Sequence, residues 1–389
     1  MHQDCLTPFR ELVQNHPAMR PLLYPYLAEQ SLKNGLTAQA YQIVVTNLAA
    51  KTGLTLPRIL VAATEGARAL DPKITAYTTR TALEEAGDGE PKHVHTLLMM
   101  RALNYHGKVA FDLPTLNLKE IQELQIVLDN ATRLLTFQIS TEGLDAGLVR
   151  DIELSSDLDG LEAATLKLAK KQGFADQQTL RLDKSDLQRI QADATATLME
   201  LGVLPEVIAY GQEELYAQRT GRVGYIQGVT FAGEAVADDM LLNLFKVMYK
   251  DLGKYKASCG QNDLPEDFER YVLPYFAAHG EYLANVQGRE AVEDKQTEVI
   301  HAQREFAKLS RLDMESRAEA LQGARDFADR NLRVWNGILA ELLVRDPQLQ
   351  SPVDRNDMMR ILETLERQGA FGIGRQSVVE AVSEALGHF

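Results

Sequence analysis

Apolar residues recur at spacings of three and four along nearly the whole chain, and the strict alternation of a half-buried strand is scarce. That periodicity confines the chain to a packing of amphipathic helices. Leu6 to Asn15 reads as a first helix stopped by His16-Pro17, and Pro21 to Gly35 as a second, with Leu22, Leu23, Tyr26, Leu27 and Leu32 as its apolar residues. A strongly apolar helix is predicted from Ala38 to Ala50. Another runs from Pro57 to Leu70, where Asp71-Pro72 closes it and opens Lys73 to Glu85. Gly87-Asp88-Gly89-Glu90-Pro91 has to interrupt the next helix, because glycine and proline at this density are too costly in a helix interior. The helical pattern resumes over Val94 to Tyr105.

Residues 116–202 read as an insertion or subdomain of more polar helices, Leu118 to Ser140 and Lys184 to Gly202, with an acidic loop from Asp151 to Gly160 between them. Tyr225 to Tyr249 is apolar again, and Gly224, Gly228 and Gly233 would let a neighbouring helix come close. Leu264 to His279, Glu290 to Leu309 and Ser316 to Leu343 follow, the last holding the one tryptophan, Trp335. A final amphipathic helix covers Ser377 to Leu386. The expected organisation is all-α, with a core from 1–115 and 203–345, an insertion at 116–202 and a C-terminal helical extension at 346–389.

Charge and cysteine content narrow the function classes. A net charge of −14 without a block of Lys and Arg argues against nucleic acid as a partner. Cys5 and Cys259 are the only cysteines, too few and too far apart for a disulfide framework or a zinc knuckle, and they suit a reducing compartment. No segment approaches the roughly 20 apolar residues that span a bilayer. A cytoplasmic location without membrane association is the resulting expectation. Oligomeric state stays open, with a homodimer among the options.

Several side chains could carry chemistry. In Glu298-Val299-Ile300-His301 the acid and the imidazole share one helix face, a spacing that can grip a metal or form a plain surface pair. Glu85 and His95 would lie on different faces of an unbroken helix. The break at Gly87 to Pro91 instead permits Glu85 to end one helix and His95 to start the next, both turned to one core; a solvated corner is the competing reading. Glu234 is a single acid among Val229, Phe231, Ala232, Val236 and Ala237, where an unpaired carboxylate is costly. His279 follows Tyr275-Phe276 and reads equally as a core or capping histidine. His16 and His106 suit caps or turns.

Glu85-Ala-Gly-Asp-Gly-Glu-Pro with His95 resembles the first ligand motif of the haem-oxygenase-like di-iron oxidases and oxygenases, the iron-containing redox enzyme family. His16-Pro17 with Leu22 and Leu23 is similar to the family's first helix, and Phe231-Ala-Gly-Glu234 to its middle-helix glutamate. Tyr275-Phe-Ala-Ala-His279 and Glu298-Val-Ile-His301-Ala302 are similar to its later histidine and its Asp-x-x-His-Ala. The resemblance covers Leu6 to Tyr105 and Tyr225 to Leu343. It implies a haem-oxygenase-like helical bundle binding two Fe(II) per chain, one mainly through Glu85 and His95, the other through His279, Glu298 and His301, with Glu234 bridging. The implied activity is non-haem di-iron O2 activation that oxidises a small organic substrate, an amino acid, amine or carboxylate.

The sequence departs from the family in two places. Glu298 stands where an Asp is usual, and His279 precedes it by 19 positions where about one turn is usual, so an insertion at 281–296, or Glu281 or Asp294 in place of His279, would be needed. Rival readings keep the bundle without iron, as in thiaminase-like or PQQ-synthase-like enzymes, although Cys259 lies in a polar loop and makes a poor nucleophile. Others are haem held by His16, a ferritin-like site using Glu90 and His93, or a non-catalytic helical partner protein.

Overall fold

Side-chain caps mark the starts of several helices, though not of the first. The computed structural model describes residues 5–19, 36–90, 94–235 and 297–345, together with Pro21, Leu23 and Leu27. Helix α1 spans Thr7–Asn15 and α2 spans Ala38–Ala67, capped by Thr37, whose Oγ1 accepts from the Ala40 amide at 3.0 Å. Asp71 caps α3 (Pro72–Glu85), with proline at its first position. The order continues through α4 (His95–Phe111), α5 (Leu118–Ser140), α6 (Ala146–Ser155), α7 (Leu158–Gln172), α8 (Lys184–Glu200) and α9 (Pro205–Gln218). Residues 223–235 form α10, and α11 (Thr297–Arg311) and α12 (Met314–Arg345) complete the described elements. The described residues are helical and contain no strand, as the periodicity requires. None of their helices is long and apolar enough to cross a membrane.

Two local expectations are corrected. The helices expected on either side of Gly53 and Pro57 are one helix, α2, of 30 residues. A proline inside a helix lacks an amide donor, so the carbonyl four residues earlier, here that of Gly53, loses its partner. Gln122 on α5 supplies the missing donor, its Nε2 reaching the Gly53 carbonyl at 2.6 Å, and Gln125 Nε2 donates to the Ala50 carbonyl at 2.7 Å. Gly53 permits this approach, since a Cβ there would meet Leu118 Cδ1 at 2.8 Å. The loop expected over 151–160 is also mostly helix: α6 and α7 are separated by a break at Asp157, which takes a positive φ of 50°. The segments expected as helices at Pro21 to Gly35, Leu264 to His279 and 346–389 lie wholly or mainly outside the described residues.

The directions of the helices follow from a few contacts. Helices α2 and α3 form an antiparallel hairpin, tied by Thr75 Oγ1 to the Ala67 carbonyl at 2.8 Å. Gln227 Nε2 reaches the Ala63 carbonyl at 2.9 Å, and Val223 packs at Gly66, so α10 runs antiparallel to α2 and therefore parallel to α3. Thr78 and Gln227 meet at 3.3 Å between those parallel helices. Helix α11 opposes α3, because Arg311 pairs with Asp71 at 3.4 Å and Arg304 with Glu84 at 2.5 Å. Helices α10 and α12 cross backbone to backbone: a Cβ at Gly228 would sit 1.8 Å from the Ala320 carbonyl oxygen, and one at Gly224 2.3 Å from that of Ser316. Trp335, Phe231, Phe9, Leu48 and Leu124 are among the fully buried side chains of the shared core.

Candidate functional site

The break between α3 and α4 is a reversal built from consecutive positive φ values, 75° at Gly87, 52° at Asp88 and 87° at Gly89. Glycine takes this conformation freely, and Asp tolerates it where its short side chain is bonded locally. Arg80 Nη1 holds Asp88 Oδ1 at 3.1 Å. The reversal makes Glu85 the last residue of α3 and His95 the first of α4. Their side chains meet: His95 Nδ1 lies 3.1 Å from Glu85 Oε1, with 11% and 14% of the two side chains exposed. Beside them Glu84 receives Arg80 Nε at 2.7 Å and Arg304, so this neighbouring acid is neutralised separately from Glu85.

Glu234 is buried, 7% exposed, on α10. From the Thr78–Gln227 contact, Glu85 and Glu234 each lie seven residues further on, two turns or about 10 Å along parallel helices. Phe231 stacks edge-on against Phe306 of α11 at 5.1 Å. Because α11 runs the opposite way, positions just before 304 rise to the level of Glu85 and Glu234. His301 belongs to that level and Glu298 to the next turn outward. The backbone of both is helical. The side chains of Glu298 and His301 lie outside the described part, as do His279, His93, Cys259, Glu281 and Asp294 entirely.

A carboxylate and an imidazole are the donor types that iron accepts. Two ligands each about 2.1 Å from one metal and at right angles stand about 3.0 Å apart, close to the Glu85–His95 separation and also to an ordinary imidazole–carboxylate hydrogen bond. The donor pair therefore fits a divalent cation. Among the described residues no group of three or more His, Cys, Asp or Glu could hold a metal ion.

Some polar residues of the interior gave little signal in the sequence. Glu305 and Lys308 pair with each other on α11, each only 1% exposed. Spacing would have shown that they continue the line of positions 298 and 301 by steps of four and three. Lys51 stands at the end of an apolar run, with its Nζ 5.2 Å from the Tyr210 ring centre, 5.5 Å from Trp335 and 6.0 Å from Phe327. Burial brings its pKa down to about 8, against the pull of Glu214. Glu214 is fully buried, and Arg330 Nε donates to it at 2.5 Å. Burial raises the Glu214 pKa despite that partner.

Two further histidines among the described residues have assignable places. His16 accepts from the Ala18 amide at 3.2 Å and lies 3.2 Å from Asp329, a turn role in keeping with its position before Pro17. His106 is no cap: it is buried within α4, its ring 4.9 Å from that of Tyr41 and 5.7 Å from that of Phe111. Comparison with protein-family models, with curated proteins and with solved structures yields no match to the chain.

Proposed function

We propose that the chain is a non-haem di-iron oxidase or oxygenase with a haem-oxygenase-like bundle, acting with O2 on a small organic substrate. The observation that carries this reading is the meeting of Glu85 and His95 across the Gly87–Gly89 reversal, two ligand types brought together from ten residues apart within a largely buried end of the bundle. The common level of Glu234 and residue 301 supports it further. In this reading Glu85 and His95 hold one iron, Glu298 and His301 hold the second with His279, and Glu234 lies between them.

Bound iron would supply the electrons and open coordination positions for reaction with O2. The chain's own residues have separate tasks. The Glu85 carboxylate and His95 Nδ1, 3.1 Å apart, would hold the iron side by side. Phe231, with Phe9 at 5.4 Å and Phe306 at 5.1 Å, lines the α10 side with apolar surface and excludes water. Arg80 and Arg304 keep Glu84 engaged, so that a neighbouring acid does not compete for the metal.

Anaerobic titration with Fe(II), followed by O2, tests the reading. About two irons per chain and a transient visible absorption on oxygenation are expected. Glu85→Ala and His301→Ala should each lose about one iron while the helical circular dichroism stays unchanged. Wild-type protein that takes up no iron, and whose melting is indifferent to it, would return the chain to the metal-free or non-catalytic bundles.

A further inference from the structure

Away from the proposed iron site, three arginines from three helices gather round one acid. Asp129 on α5 is fully buried, and both of its oxygens are engaged: Arg58 of α2 donates to Oδ2 at 3.1 Å and Arg219, which caps the end of α9, donates to Oδ1 at 2.7 Å. Arg133 stands one turn after Asp129 on α5. It makes no hydrogen bond or ion pair among the described residues, and the charges acting on it are those of Arg219, Asp129 and Arg58. Burial, then the Arg219 charge, presses its pKa down, with Asp129 offering partial relief. Three guanidinium groups against one carboxylate leave two positive charges in excess. The site is open to solvent, since Arg58 and Arg219 keep 36% and 31% of their side chains exposed and Arg133 is half-buried.

Such an excess is unusual on a chain whose net charge is −14. The single negative charge of Asp129 is already shared between Arg58 and Arg219, so it cannot also balance Arg133. Guanidinium forks match the oxygens of a tetrahedral oxyanion, and two surplus charges match a dianion. A monocarboxylate would leave one charge over. We propose that Arg58, Arg133 and Arg219 form a binding site for a phosphate dianion, as the free ion or as the phosphoryl group of a small metabolite. Asp129 positions two of the arginines and does not touch the ligand.

The test uses the full chain without added iron, so its result is separate from that of the iron titration. Inorganic phosphate and glycerol phosphate are titrated calorimetrically at pH 7.5 and constant ionic strength, and melting is followed against matched sodium chloride. Saturable binding of phosphate, a rise in melting temperature absent in chloride, and at least about tenfold weaker binding by Arg133→Gln are expected. Tighter binding of the ester would assign the site to a phosphorylated metabolite, and equal or tighter binding of the inorganic ion to phosphate itself. Arg133→Gln removes a repelled charge and should melt cooperatively; should it fail to fold, Arg219→Lys, which retains a donor for Asp129, gives the same readout. Equal melting responses to phosphate and chloride, or variants that bind as well as wild type, would overturn the proposal.

Discussion

His106 illustrates how a fold can retain a titratable side chain only in its neutral form. Its ring packs against those of Tyr41 and Phe111, neither ring nitrogen has a hydrogen-bond partner, and burial pushes its pKa down to about 4 from 6.5. Between those values the unfolded chain takes up a proton that the folded chain refuses. The stability difference is therefore fully present above pH 6.5 and is lost as pH falls towards 4, by an amount on the order of 3 kcal/mol. Urea unfolding of wild type and His106→Leu at pH 7.5 and pH 5 measures it: the wild type should lose more stability than the variant over this interval. Parallel losses would show that the imidazole is protonated in the folded state. In the sequence this histidine looked suited to a turn, because burial depends on Tyr41, more than sixty residues away, whose hydroxyl bonds the Leu103 carbonyl at 2.6 Å.

Among the elements, α2 carries the most testable arrangement. If Gln122 replaces the donor that Pro57 lacks, the two positions must be coupled. Gln122→Met leaves the Gly53 carbonyl unpartnered and should cost about 1–3 kcal/mol in urea unfolding. In a Pro57→Ala background the restored amide can satisfy that carbonyl, and the same substitution should cost distinctly less. Additive effects would rule out the repair. This contact also explains why the helix boundaries were only partly legible. Local signals placed the start of α3 and the whole of α5 correctly, because Asp71-Pro72 and the Leu118–Ser140 periodicity are properties of short windows. The continuity of α2 was not legible, since it depends on a side chain from another helix 69 positions away. The glycines at 224 and 228 were readable as sites of close approach, but their partner backbone in α12 was not.

At the scale of the whole molecule, the candidate site depends on helix direction. Glu85 and His95 could be paired from sequence because a helix break is a local event. Glu234 and His301 could be attached to them only by resemblance, and it is the antiparallel course of α2 and α11 relative to α3 and α10 that puts their positions at one level. If metal is held there, its binding should tie together four segments far apart in sequence. Hydrogen exchange in anaerobic Fe(II) should therefore slow in peptides containing 85–90, 95–100, 231–235 and 298–303, while peptides covering Asp129 and Arg219 stay unchanged. Glu85→Ala should reduce the protection at 231–235 and 298–303 as well as its own, because the segments are coupled through the ligand and not through the chain. Protection confined to 85–100 would limit the site to a single local pair, too few ligands for a di-iron centre, and the oxidase reading would fail on that result.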